Sequence, residues 1–238
     1  MPLHAPSGNA SFTETQATRG VRVPDSEGYY EHARPDIVDL VARFSPRPLP
    51  RVLDLGCAAG RLGEALKATG TPSIMDGIEL SESVAVEARE RLDHVWVGDL
   101  ATFDWKQVDT TYDVLIAADV LEHLPDPWQT LRHLRRVLAP DGRIIASVPN
   151  IRYWKVIADL LFRGEFRYVD AGVLDRTHLR FFTRSSLMSL FATTGYRVDY
   201  LSPKTVERRG WRRAIMVLAG DLAHVQYHAV ARLNTDLV

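Results

Sequence analysis

The sequence predicts an α/β fold, an open and mostly parallel sheet with helices on both faces. Three observations predict it. Five strand-then-helix units follow one another between residues 51 and 148. The fourth strand, Tyr112–Ala117, is nearly all apolar, as a strand covered on both faces must be. A turn of small residues closes the first strand, and in open α/β sheets ligands bind beyond the carboxyl ends of the strands.

Each element follows from its local pattern. Ile37, Leu40, Val41 and Phe44 fall at i, i+3, i+4 and i+7, one face of a helix, which Pro46, Pro48 and Pro50 stop. Val52–Leu55 is a short apolar strand. Arg61–Thr69 reads as a helix closed by Gly70. Ile74–Glu79 is the second strand, and Ser81 stands where it can N-cap the next helix. His94–Val97 is the third strand. Trp128, Leu131, Leu134 and Leu138 make another helical face, Pro140-Asp141-Gly142 reads as a turn, and Arg143–Val148 is the fifth strand. Leu187, Leu190 and Phe191 mark a helix, Gly195–Val198 opens a sixth strand, and residues 211–222 read as helical. In Val225–Leu233, apolar side chains alternate with Gln226, His228, Val230 and Arg232. This is a period-two strand, at a place where a parallel pattern can end in an antiparallel one.

Composition narrows the function. The 238 residues are 46% hydrophobic and 25% charged, enough for a real core and unlike a disordered chain. Lys plus Arg (29) nearly cancel Asp plus Glu (30), so no global basic field draws in nucleic acid, and no nucleic-acid partner is expected. The lone Cys57 excludes an internal disulfide and a Cys-rich zinc site. No apolar run approaches the ~20 residues needed to span a bilayer, and no secretory leader opens the chain, so a cytoplasmic protein is expected. Residues 1–28 are poor in apolar side chains and read as a mobile leader, with one domain over 29–238.

The sharpest signal is Val52-Leu53-Asp54-Leu55-Gly56-Cys57-Ala58-Ala59-Gly60. Small residues after a strand allow a tight turn and close approach of a ligand to backbone N–H groups. Asp54 precedes the turn, and Glu79 closes the next strand, where a carboxylate can accept both hydroxyls of a ribose. A dinucleotide fingerprint wants glycine where Ala58 stands, and Asp54 would repel a pyrophosphate. A cationic, amino-acid-like ligand suits the site better. An ordinary β-α turn would show the same small residues.

Taken together these segments resemble class I S-adenosylmethionine-dependent methyltransferases. Asp54–Gly60 resembles that family's first motif, Glu79 its ribose-binding acid, Gly98-Asp99-Leu100 the acid beside the adenine, and Tyr112–Ala118 the fourth-strand motif. Leu121-Glu122-His123-Leu124 resembles a common continuation, and Leu134–Leu138 with Pro140–Arg143 the stretch before the fifth strand. Ala58, in place of the usual second glycine, is the departure. The resemblance implies a Rossmann-like seven-stranded sheet with an antiparallel last strand and a lid inserted after the fifth strand. It implies S-adenosyl-L-methionine as cofactor and a small-molecule acceptor, of the sugar and secondary-metabolite type. Asp54, Gly56 and Gly60 would border the methionyl end, Glu79 the ribose, and Leu80, Asp99 and Leu100 the adenine, with Ala118 at the end of the fourth strand. Tyr30 and Arg34 would belong to a helix covering the cofactor. Arg34 can meet the methionine carboxylate there, or be an exposed arginine on an amphipathic helix.

Asp119, Glu122 and His123 follow the fourth strand at i, i+3 and i+4, a spacing that places them on one side of a helical turn. Three roles are open to them. His123 can act as a base on the acceptor. The three can join His178 around a divalent metal, a constellation resembling that of small-RNA 3′-end methyltransferases and some ubiquinone-pathway O-methyltransferases. Or Glu-His simply packs locally. We read His123 and His178 as catalytic and assign no metal. Residues 149–183 form the expected lid. It is rich in aromatics (Tyr153, Trp154, Phe162, Phe166, Tyr168, Phe181 and Phe182) that either enclose a substrate or make the lid's own core. Three rivals stand beside a small-molecule enzyme: an RNA methyltransferase with a metal site, a nicotinamide oxidoreductase, and a non-catalytic binding module on the same fold.

Overall fold

The computed structural model describes residues 33–205 and 220–235. The expected leader, Tyr30 and most of the expected 211–222 helix lie outside the described residues. The chain runs α1 (Pro35–Phe44), β1 (Arg51–Leu55), α2 (Arg61–Ala68), β2 (Ile74–Glu79), α3 (Glu82–Arg89), β3 (His94–Val97) and β4 (Tyr112–Ala118). It continues with α4 (Pro127–Leu134), β5 (Leu138–Pro149), α5 (Trp154–Ala158), α6 (Arg184–Thr193), β6 (Tyr196–Thr205) and β7 (His224–Leu233). The seven strands form one sheet in the order β3-β2-β1-β4-β5-β7-β6. β1 to β5 are parallel, and β7 runs antiparallel between β5 and β6. Strand order reverses between β1 and β4, so the ligand crevice of such a sheet falls beyond Leu55, Glu79 and Ala118.

Both faces of the sheet are buried. Leu53, Leu115 and Ala231 pack on one face with Leu131, Leu187 and Phe191, while their chain neighbours Val52, Val114 and Val230 pack on the other with Ile37, Leu62 and Ala88. This alternation between two cores explains the continuous apolar run of β4.

Three expectations change. Pro140-Asp141-Gly142 is not a free turn. Tyr112 pairs with Leu138 and Val114 with Arg143, so residues 139–142 bulge out of one long strand. The Leu138 side chain covers Gly142 so closely that a Cβ there would lie 2.5 Å from it. Helix α4 therefore ends at Leu134, and Leu138 belongs to the sheet. Ser81 occupies the N-cap position but does not cap α3; its hydroxyl meets that of Ser83 at 2.8 Å.

The insertion after β5 is tied at its base. Asn150 bridges to Phe182, and the Asn150 amide donates to the carbonyls of Asp221 and His224 at 2.8 Å. Tyr153 and Phe182 are buried in this base, whereas Trp154, Phe162, Phe166 and Tyr168 are exposed, Phe162 by 81%. Three of the insertion's arginines are matched by its own acids, in Arg163–Asp159, Arg167–Glu165 and Arg176–Asp170 pairs. No helix among the described residues is long and apolar enough to cross a membrane.

Candidate active site

The turn after β1 is built from left-handed residues: Gly56 (φ 68°), Ala58 (φ 48°) and Gly60 (φ 78°). The Gly56 and Cys57 N–H groups both donate to the Ile78 carbonyl, at 2.8 and 3.0 Å, which folds the turn onto β2. Glu79 locks it: one carboxylate oxygen accepts from Ala58 N–H and the other from Ser81 N–H, each at 2.9 Å. Each oxygen keeps a lone pair for a further donor. Ala58 holds the conformation for which the family pattern uses glycine, so its methyl group strains the backbone as well as narrowing the turn.

Asp54 is 3% exposed and accepts no hydrogen bond among the described residues. Burial pushes its pKa up to about 7, the Glu79 charge adds to this, and Arg34 opposes it. Leu80, next to Glu79, is 61% exposed, an apolar side chain left bare at a strand's carboxyl end. Asp99 is exposed and accepts from Ala101 N–H at 2.8 Å, whereas the Leu100 side chain is packed into the core. Ala118 ends β4 opposite Ser147 of β5.

Arg34 stands just before α1 with φ 42°, its guanidinium turned inward. Its Nε and Nη2 donate to Asp36 at 3.0 and 3.2 Å, Nη2 also donates to Ser147 Oγ at 3.2 Å, and Nη1 pairs with Asp119. Asp36 in turn meets Lys204 Nζ and His228 Nε2, each at 3.1 Å. Burial works to raise the Asp36 pKa, but the close contacts with His228, Arg34 and Lys204 outweigh it and hold the carboxyl well below the usual range. Asp36, Ser147, Lys204, Gln226 and His228 are site-bordering residues that sequence patterning does not single out. The available signal is the polar half of the β7 alternation: Gln226 and His228 lie on an interior strand, where polar side chains need partners.

Asp119, Glu122 and His123 do not share one face. Asp119 (φ 58°) precedes a single 3₁₀ turn, Leu121–His123, and points to Arg34, Ser147 and Gln226. A left-handed residue breaks the helical spacing on which the common face rested. Glu122, His123 and His178 do come together, with one ligand atom from each within 4.8 Å of the other two. The Glu122 carbonyl accepts from the N–H groups of Leu179 and Arg180, at 2.8 and 2.9 Å, which binds the insertion to the β4 end and sets His178 beside His123. The two rings meet edge to face at 4.8 Å. His123 Nδ1 lies 3.3 Å from the Thr177 carbonyl and His178 Nδ1 3.1 Å from that of Val173. Carbonyl partners require protonated Nδ1 atoms, so each neutral ring presents an unprotonated Nε2. Burial, then His178, lowers the His123 pKa and favours that neutral form. Glu122 is 1% exposed with both carboxyl oxygens unpartnered among the described residues; burial, then Asp119, pushes its pKa well up.

A doubly wound sheet with a reversed last strand, an acid-flanked glycine turn and a polar cluster beyond β4 define the class I methyltransferase architecture. The chain belongs to the family described as methyltransferase domain, whose model matches residues 29–201. It is 32% identical over 127 residues to a 27-O-demethylrifamycin SV methyltransferase of Amycolatopsis mediterranei, covering 50% of this chain and 46% of that protein. It is 28% identical over 159 residues to a ubiquinone biosynthesis O-methyltransferase of Aeromonas salmonicida, covering 64% and 65%. The match to the rifamycin enzyme thus spans about half of that relative's length. In fold it is similar to magnesium protoporphyrin IX methyltransferase of Synechocystis with bound S-adenosylhomocysteine (TM-score 0.58, 17% identity, 83% of this chain and 80% of that one). It is likewise similar to the CcbJ methyltransferase of Streptomyces caelestis (TM-score 0.59, 17% identity, 83% and 88%).

Proposed function

We propose that the chain is an S-adenosylmethionine-dependent methyltransferase acting on an oxygen of a small-molecule acceptor, in the cytoplasm and without a nucleic-acid partner. The observation that carries this reading is Asp54: a buried carboxylate without a hydrogen-bond partner among the described residues, beside a left-handed glycine turn. Such a group favours a cationic ligand and repels a pyrophosphate, which fits the methyl donor and not a dinucleotide. When bound, the cofactor supplies an electrophilic methyl group on sulfonium sulfur. Asp54 favours the cationic end, the free lone pairs of Glu79 receive ribose hydroxyls, and Leu80 offers an apolar face to the adenine. His123 or His178, each with Nε2 turned away from its backbone partner, takes the proton from an acceptor hydroxyl. The insertion that carries His178 excludes water. The relatives named for O-methylation support oxygen as the receiving atom.

Calorimetric titration with S-adenosylmethionine, S-adenosylhomocysteine and NAD tests the cofactor. Saturable binding of the first two and none of NAD is expected; NAD uptake without either of the others overturns the reading. Transfer of labelled methyl to a panel of phenols and sugar alcohols then tests the acceptor class.

One observation favours a second reading of the acceptor site. Glu122 brings an unpartnered buried carboxylate, and both histidines are oriented by backbone carbonyls, as metal-ligating histidines are. Glu122, His123 and His178 would then hold a divalent cation, and the cation would hold the acceptor hydroxyl. Elemental analysis of the purified protein separates the two readings: a stoichiometric transition metal favours the second.

A further inference from the structure

Residues 160–172 are exposed without a break, and Leu160, Leu161, Phe162, Phe166, Tyr168 and Val169 stand among them. This arm of the insertion is built, not loose. Gly164 (φ 66°) ends the helical turn Asp159–Arg163, and the Glu165 N–H donates to the Asp159 carbonyl at 3.2 Å. The Val169 N–H donates to the Leu174 carbonyl at 2.9 Å, and the Val169 carbonyl accepts from the Arg176 N–H at 3.0 Å. Phe166 meets Phe181 edge to face at 5.7 Å, which ties the arm to its base. We propose that the arm is an interface between two copies of this chain, related by a two-fold axis. The pairing goes beyond the methyl-transfer reading and does not depend on it.

Shape, area and charge carry it. Leu160, Leu161 and Phe162 are 50, 70 and 81% exposed. Three consecutive residues of a helical turn point in different directions, so this turn is apolar all round, and packing against one side of its own domain could not bury all three. Such a turn is made to be surrounded. At ~150–250 Å² for a large side chain, the exposed fractions of the six apolar residues leave roughly 600 Å² bare. That stands at the upper end of what a lone chain shows, and set against the same face of a second copy it comes to roughly 1,200 Å², the lower bound of a stable interface. Charge then selects the occupant. From Asp159 to Arg176, three arginines are interspersed with four acids, and Arg163, Arg167 and Arg176 pair with Asp159, Glu165 and Asp170. An anionic bilayer calls for a basic excess around an apolar tip, which the arm lacks. A second copy brings the same mixture of signs, so under a two-fold axis the arginines of one arm can meet the acids of the other, and no single-sign field opposes the approach. The backbone bonds within the arm hold the face ready, which lowers the ordering cost of association.

Sedimentation velocity of the full chain from ~1 to ~100 µM tests the pairing, a range that spans the weak end of specific association. The wild type is expected to move with concentration from 26.8 kDa towards twice that mass. The double variant Leu161→Glu, Phe162→Glu is expected to keep the single-chain mass throughout. Its thermal midpoint at the lowest concentration should equal that of the wild type, since both side chains lie outside the core. Leu49→Glu, at an apolar side chain 58% exposed outside the arm, is expected to pair as the wild type does. The proposal is overturned if the wild type keeps the single-chain mass at the highest concentration, if the double variant pairs as tightly as the wild type, or if Leu49→Glu loses the pairing equally. Vesicles of phosphatidylglycerol supply the remaining arm of the test. Capture of single-chain wild type by them, and not of the double variant, would assign the arm to a lipid surface and overturn the pairing.

Discussion

Asp54 is the residue whose replacement separates stability from binding most cleanly. Its carboxyl rises from the ordinary 3.8 to about 7 because it is buried and lies near Glu79. Between those two pH values an unfolded chain has released this proton while the native chain keeps it. Native stability from this group is therefore full below pH 4 and is lost as pH rises to about 7. At ~1.4 kcal/mol per pH unit, the charged carboxylate costs about 4 kcal/mol above neutrality. Asp54→Asn removes the titration but buries an amide with unpaired hydrogens, which costs ~1–3 kcal/mol. The variant is expected to be more stable than wild type by roughly 1–3 kcal/mol at pH 8, with the advantage shrinking by ~1.4 kcal/mol per pH unit below neutrality. It is also expected to bind the methyl donor at least ~10-fold more weakly, the loss of one ion-pair contact. Urea denaturation across pH 4 to 8 measures the first effect and calorimetry the second. A stability difference that does not change with pH, or a variant less stable than wild type at pH 8, refutes the reasoning.

Ala58→Gly relieves a left-handed alanine (φ 48°) and should raise the urea midpoint by an amount worth ~1 kcal/mol, whereas Ala68→Gly at the end of α2 should lower it. In β2, Gly77→Ala sets a Cβ 2.5 Å from Cys57 Sγ and 2.7 Å from Leu92, so a loss of ~1–3 kcal/mol is expected, together with weaker cofactor binding because Cys57 belongs to the turn. With an acceptor from the panel, His123→Ala and His178→Ala should each lower single-turnover rates by ~10²-fold or more at unchanged cofactor affinity; full rates in both would remove the base from the mechanism. Should Glu122, His123 and His178 hold a divalent ion, zinc at 100 times its Kd should stabilise wild type by ~2.7 kcal/mol in thermal melts and leave His178→Ala unmoved.

Most of the sheet was legible in the sequence because its signals are local. Ile74–Glu79 and His94–Val97 form with the bounds that their apolar runs imply, and the β7 alternation leads to a strand that is antiparallel to β5. Legibility ended where one element is shaped by another. The bulge at residues 139–142 exists because β5 must pair with Tyr112 and Val114 while keeping Leu138 in the core. The site divides in the same way. Glu79 and the turn that it locks are near one another in sequence, and of the four residues Asp119, Glu122, His123 and His178 grouped from the sequence, the last three come together while Asp119 turns to Arg34. The Arg34–Asp119 pair joins residues 85 positions apart, with no periodicity to announce it.

The strained and unpartnered groups are not scattered. Positive φ at Arg34, Ala58 and Asp119, and buried carboxyls without partners at Asp54 and Glu122, surround one crevice, while the sheet beneath it carries the apolar contacts of both faces. Each left-handed position costs of order 1–3 kcal/mol, and the strained residues persist because the seven-stranded core over-determines the backbone around them. A carboxylate kept without a partner is a site reserved for an external cation or proton. On that argument, replacing these residues to satisfy the fold should stabilise the chain and weaken its ligands together. Replacements in the buried strands, such as Leu115→Ala, should destabilise the chain without changing the ratio between the affinities of S-adenosylhomocysteine and methylthioadenosine.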